Sequence, residues 1–154
     1  MGSNIYFARC FETSRVFYQV KFNDKKRSFK TSVSQHCDVL EGASLTSCQG
    51  QFIFLTGGPT PCKVQTHVYY PGLLHTEASY KDPATTKVKR YDIKKDKLED
   101  LPELNVGRMN HSSCTLRKTL YVIGGTTANP ANPGVLNSIE KLDNITGPAS
   151  SALW

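Results

Sequence analysis

Thr119-Leu120-Tyr121-Val122-Ile123-Gly124-Gly125 is a short run of apolar and β-branched residues that stops at a glycine pair. A run of that length, bounded by turn residues, predicts a buried strand rather than a helix. Two glycines in succession permit positive φ and let a neighbouring backbone or ring approach closely. The same layout stands earlier in the chain as Phe52-Ile53-Phe54-Leu55-Thr56-Gly57-Gly58. A recurring stretch of this kind makes an internal repeat the first question to settle.

Downstream of each glycine pair lies an alternating segment that ends in an apolar or aromatic residue followed by Asp. These are Val88-Lys89-Arg90-Tyr91-Asp92 and Ile139-Glu140-Lys141-Leu142-Asp143. A degenerate copy, Gln19-Val20-Lys21-Phe22-Asn23-Asp24, sits near the start, where Asn4-Ile5-Tyr6-Phe7-Ala8 stands in for the key strand with Arg9-Cys10 at the glycine positions. Phe22 and Tyr91 are each followed, across a charged turn, by a large apolar residue, Phe29 and Leu98. Gly107-Arg108-Met109-Asn110-His111-Ser112-Ser113-Cys114 precedes the later pair.

This order of elements resembles the kelch repeat: apolar strand, double glycine, Tyr-Asp strand, turn, Trp position, Leu-Pro, then Arg and His-Ser. Residues 87–143 carry it most fully, with Leu101-Pro102, Arg108, His111-Ser112 and Gly124-Gly125, whereas residues 43–58 match in part and 4–34 less. Leu98 and Phe29 occupy the Trp position, and the first copy lacks the glycines. The resemblance implies an all-β fold, an incomplete kelch-type β-propeller of about three blades within a single domain spanning 1–154. Its units are a degenerate blade at 4–34 without its inner strand, a blade at 43–104 and a blade at 106–154.

The expected strands are 4–8, 15–23 and 27–33 in the first unit, and 43–48, 52–56, 87–93 and 97–101 in the second. In the third they are 110–116, 120–123 and 138–142. A segment at 59–86, with four prolines, Tyr69-Tyr70, His67 and His75, interrupts the second unit. Insertions of that length are uncommon inside compact domains and are usually functional or mobile. Val88, Arg90 and Asp92 alternate with Lys87, Lys89, Tyr91 and Ile93, a pattern that suits a strand near the rim, since lysine stems lie along apolar surface with their heads in water.

Composition bounds the function. The chain has 154 residues, a net charge of +6 and 38% hydrophobic content, ordinary for one globular domain. A kelch blade takes about 50 residues, and propellers close with about four to eight blades. The chain therefore reads as part of a larger propeller, a truncated paralogue or a component of an assembly, with self-association or missing blades supplied by another chain or segment. It has no apolar run long enough for a transmembrane helix and no secretory leader pattern. Its five cysteines, with no CxxC pair, suit buried thiols in a reduced compartment, so a cytoplasmic, intracellular protein without membrane contact is expected. Cys48 and Cys114 take neighbouring places when the repeats are aligned on their glycines.

The basic clusters Lys25-Lys26-Arg27 and Lys94-Lys95-Asp96-Lys97 fall at the same hairpin of the repeat. Lysines there keep strand edges solvated, so nucleic acid is not the expected partner. No metal-ligand spacing such as HExxH is present among His36, His67, His75 and His111, and no cofactor or metal is expected. His111 and Ser112 are strand neighbours pointing to opposite faces, so they do not form a base–nucleophile pair. The expectation is a non-enzymatic protein–protein interaction module that binds another protein.

In kelch propellers the loops after the glycine pair and between blades share one face, here 59–86, 126–135 and 102–110. The candidate contacts there are Arg108, Asn110, Tyr69, Tyr70 and His75. The resemblance gives structural roles to Gly57, Gly58, Gly124, Gly125, Tyr91, Asp92, Leu98 and His111. A kelch-propeller enzyme of the sugar oxidase or isomerase type, or a paralogue without independent function, is the alternative. Uncovered faces are also expected on the first and last units, where Phe7, Phe17, Phe22, Phe29 and Trp154 would otherwise pack against a neighbouring blade.

Overall fold

The computed structural model describes residues 42–58, 84–127 and 134–154 throughout, and the backbone of the strands at 4–11, 14–23 and 28–34. The protein is predominantly β. Its strands are β1 (Asn4–Phe11), β2 (Ser14–Asn23), β3 (Ser28–Ser34), β4 (Ser44–Cys48), β5 (Phe52–Thr56), β6 (Val88–Asp92), β7 (Lys97–Leu101), β8 (Ser112–Leu116), β9 (Thr119–Ile123) and β10 (Ile139–Leu142). Each strand read from the alternation is present, with its ends displaced by a few residues at most. They form three open antiparallel sheets, β1-β2-β3, β4-β5-β6-β7 and β8-β9-β10, each a meander in which chain neighbours pair.

Turn chemistry sets the registers. Gln49 and Gly50, at φ 52° and 66°, close the β4–β5 hairpin, and Arg117 at φ 57° closes β8–β9. Left-handed residues in such short connections match the twist of the strands they join. Asp92 accepts the backbone N–H groups of Lys94 and Lys95 at 3.0 and 3.3 Å, and the Tyr91 hydroxyl donates to Asp96 Oδ1 at 2.5 Å. The Tyr-Asp dipeptide is thus the anchor of the β6–β7 turn. The lysines of that turn, Lys94, Lys95 and Lys97, are exposed.

The sheet β4–β7 buries one face against the sheet β8–β10. Cys48, Phe52, Phe54, Val88 and Leu101 from the first meet Leu120, Val122 and Leu142 from the second, with Leu104, Ile145 and Ala152 closing the ends. Burying side chains of this size contributes about 1.5–3 kcal/mol each. Polar contacts fix the lateral position: the Ser44 and Ser113 hydroxyls lie 2.7 Å apart, and Thr115 Oγ1 donates to Ser47 O at 2.7 Å. The opposite face of β4–β7 carries a second cluster of Ile53, Leu55 and Tyr91, with Leu45, Ile93 and Leu98 against it.

Two expectations are corrected below. Arg90 is 4% exposed, because the face it shares with Val88 is the one covered by the next sheet. Its guanidinium sits 4.8 Å over the Phe52 ring and donates to Ile145 O, Gly147 O and Glu99 Oε2. Trp154 is not an uncovered aromatic: it is half-buried against the shared core and donates its indole N–H to Pro102 O at 2.9 Å. It arrives there because the chain after β10 turns through a short 3₁₀ segment, Ala149–Ser151, and bridges back at Asp143↔Leu153. The two described thiols also differ. Cys48 is buried, its thiol pKa pushed up by desolvation, whereas Cys114 is exposed on the outer face of β8. The turn-based registers pair Cys48 with Phe52, but Cys114 with Tyr121 in the middle of its hairpin.

Among the described residues, no helix is long and apolar enough to cross a membrane. The expected exposure of Phe7, Phe17, Phe22 and Phe29 concerns side chains outside the described residues.

Candidate interaction face

The segments leaving β5 and β9, entering β6 and β10, and joining β7 to β8 all lie at one end of the two packed sheets. Backbone bonds knit them together. Gly58 N–H donates to Arg108 O at 2.9 Å, Thr85 N–H to Gly58 O at 2.7 Å and Leu104 N–H to Thr86 O at 2.7 Å. Met109 and Thr126 exchange both of their backbone bonds, at 3.0 and 2.9 Å, and Asn110 N–H donates to Gly42 O at 2.8 Å. The stretch 108–111 is therefore gripped between the two glycine pairs.

Glycine is required at these grips. Gly57 and Gly58 have φ of 60° and 102°, and Gly124 and Gly125 have 66° and 95°. A Cβ on Gly57 would stand 2.2 Å from Arg108 O, and one on Gly125 would stand 2.7 Å from Met109 O. Gly124 differs, since a Cβ there would meet only Leu136 O, at 3.5 Å. Crowding therefore belongs to Gly57 and Gly125 rather than to Gly124.

A buried ion pair underlies the face. Arg108 is fully buried, with Nη1 donating to Gly124 O at 2.9 Å and Ser138 O at 3.4 Å. Nη2 donates to Ser138 Oγ at 3.2 Å and Glu140 Oε1 at 2.5 Å, and Nε to Val106 O at 3.5 Å. Glu140 also accepts the backbone N–H of Asn105 and of Val106, at 2.6 and 3.2 Å, and the Asn105 side-chain amide at 3.1 Å. Arg108, read from sequence as a candidate contact, is therefore redirected: all its donors serve the chain's own acceptors. Glu140 was not singled out from sequence. The available signal was its parity with Leu142, which puts a carboxylate on the apolar face of β10.

His111 lies beside this pair, 8% exposed, with Nε2 2.7 Å from Thr56 Oγ1 and with Nδ1 lacking a hydrogen-bond partner. Desolvation first, and then the Arg108 charge, lower its pKa from 6.5 to about 4. A protonated ring would bury a charge and an Nδ1–H with no acceptor. The sign follows. Between pH 6.5 and about 4 the unfolded chain takes up a proton that the folded chain refuses, so this residue lowers stability as pH falls through that window. We expect the drop in urea midpoint between pH 7 and pH 5 to shrink in His111→Gln. An equal drop in both proteins would refute the assignment.

Above this scaffold, the exposed groups are Glu103, Asn105, Val106, Asn110 and Val135. Asn110 is exposed and held at φ 53°. Tyr69, Tyr70 and His75 lie outside the described residues. Tyr91, Asp92 and Leu98 sit at the opposite end of the sheet, where they order the β6–β7 hairpin and the second apolar cluster. Among the described residues, no group of three His, Cys, Asp or Glu side chains is placed to hold a metal ion. No protein-family model matches the chain, and no curated protein matches it.

Proposed function

We propose that this chain is part of a kelch-type β-propeller and works as a protein–protein interaction module through the loops at its glycine-pair end. The observation that carries this reading is the convergence of three connecting segments on one rigid scaffold. Two meanders of the same build stack face to face, and the Arg108–Glu140 pair fixes the β7–β8 link beneath an exposed rim of Asn105, Val106, Asn110 and Val135. Loops held by a rigid scaffold are where binding residues concentrate. Among the described residues, the face offers the amides of Asn105 and Asn110 and the aliphatic Val106 and Val135 beside the Glu103 carboxylate, a mixture that suits a surface contact.

The test has two arms. Proteins cross-linked to the full chain in its native extract are identified and then compared with those bound by a Val106→Lys/Val135→Lys variant. We expect loss of the specific partner with an unchanged melting curve. In the second arm, deletion of residues 62–83 is expected to preserve the β-sheet circular dichroism and to reduce the same binding, because shortening a long loop costs little entropy. Binding that survives both changes would refute this face as the contact. Loss of the β-sheet signal on deletion would show that 62–83 belongs to the core.

A further inference from the structure

The outward face of β8-β9-β10 repeats, position by position, a face that is buried in the preceding sheet. The pairs Ser44↔Thr56, Cys48↔Phe52 and Thr56↔Val88 have their counterparts in Ser112↔Ile123, Leu116↔Thr119 and Ile123↔Ile139. Leu116, Tyr121, Ile123 and Ile139 thus occupy the places of Cys48, Phe54, Thr56 and Val88. In β4–β7 those four places are at most 2% exposed, covered by Leu120, Val122 and Leu142. In β8–β10 they are open: Leu116 and Ile139 are each 62% exposed and Ile123 is 40% exposed. Cys114, exposed as well, lies among them.

The molecule itself shows what such a face receives. Its cover is the other side of a sheet of the same build, since Leu120, Val122 and Leu142 take the places that Ile53, Leu55 and Tyr91 hold in β4–β7. The sheet β1-β2-β3 offers a face of that second kind. Its register sets Ile5, Val20 and Thr31 in one row and Phe7, Tyr18 and Val33 in the next, with Phe22↔Phe29 following on the same face. The Phe22↔Phe29 pair repeats Tyr91↔Leu98. The three sheets among the described residues are fewer than the about four to eight that close a ring.

We infer that the exposed face of β8–β10 is covered by the β1–β3 sheet of a second copy, joined head to tail, so that two copies complete one ring of six sheets. This inference rests on the propeller reading proposed above. The contact is heterologous, donor face to acceptor face, and closes after two copies through a two-fold axis. An aliphatic patch of this kind on a soluble surface marks an association site.

Sedimentation of the full chain over a range of concentrations is expected to give twice the 17.1 kDa chain mass. Ile139→Lys should weaken that association about thirtyfold or more, with the melt still cooperative. Mixing Ile139→Lys with Val20→Lys should restore one contact and yield a heterodimer, because each variant keeps the face the other has lost. Alkylation of Cys114 in the unaltered chain, read by peptide mass, should slow as concentration rises, which keeps the test open if a variant fails to fold. A chain that stays monomeric at every concentration with Cys114 fully reactive overturns the inference. So does a dimer indifferent to Ile139→Lys, or a Val20→Lys protein that dimerises alone as well as the parent. These outcomes are independent of partner capture by the loops, so failure of one reading is distinguishable from failure of the other.

Discussion

Arg108→Met is expected to destabilise the fold by about 3–5 kcal/mol, the usual cost of removing one member of a buried ion pair. The residue is fully buried, and its guanidinium binds the carbonyls of Gly124 and Ser138 as well as the carboxylate of Glu140. Methionine fills much of the same volume but leaves that carboxylate without its countercharge and both carbonyls without this donor. Arg108→Lys should recover little of the loss, because an ammonium cannot reproduce the planar fork that spans these acceptors. The double variant Arg108→Met/Glu140→Met should cost less than the two single changes added together, since it removes the uncompensated charge. It should still fall short of the parent, because Asn105 and Val106 lose the acceptor of their backbone N–H groups. Urea midpoints with unchanged slopes measure all four proteins. A loss below about 1 kcal/mol in Arg108→Met would place the pair among interactions that contribute little net stability.

Local order was legible in the sequence to the extent that it depends on neighbours. Phe52–Thr56 and Thr119–Ile123 announce themselves by apolar run length and by the glycines that stop them. Asp92 and Gln49-Gly50 mark turns whose chemistry is confined to a few residues. Side-chain parity within β6 was also readable, but not which of its faces another sheet would cover. The partner of Arg108 lies on a different hairpin, and nothing local to either residue identifies the pair. Trp154 likewise takes its place only because the chain after Asp143 folds back on Pro102. The outward face of β8–β10 was hidden for the same reason: Leu116, Ile123 and Ile139 read as ordinary strand residues until the neighbouring sheet shows that their counterparts are buried.

The glycines provide the sharpest remaining test, because three of them share a backbone conformation and differ in what surrounds them. Gly50, Gly57 and Gly124 have φ of 66°, 60° and 66°, so alanine at any of them carries the same left-handed penalty of about 1–2 kcal/mol. At Gly50 a Cβ meets nothing within 4 Å, and at Gly124 it meets only Leu136 O, at an ordinary 3.5 Å. At Gly57 it would fall 2.2 Å from Arg108 O and 2.6 Å from His111 Cε1. The carbonyl cannot retreat freely, since Arg108 O also accepts the Gly58 N–H and the Arg108 side chain is fixed on Glu140. His111 is equally confined, with its ring bound to Thr56. Overpacking of a well-ordered interior adds roughly 1–3 kcal/mol, so Gly57→Ala is expected to lose about 2–5 kcal/mol in total. Gly50→Ala and Gly124→Ala should stay near the conformational penalty alone. Denaturation midpoints for the three alanine variants, measured side by side, cancel the shared backbone cost and leave the steric difference. Three equal losses would show that positive φ is all that selects glycine at position 57, and would remove the close approach of the 108–111 strand from the account of how the two sheets are joined.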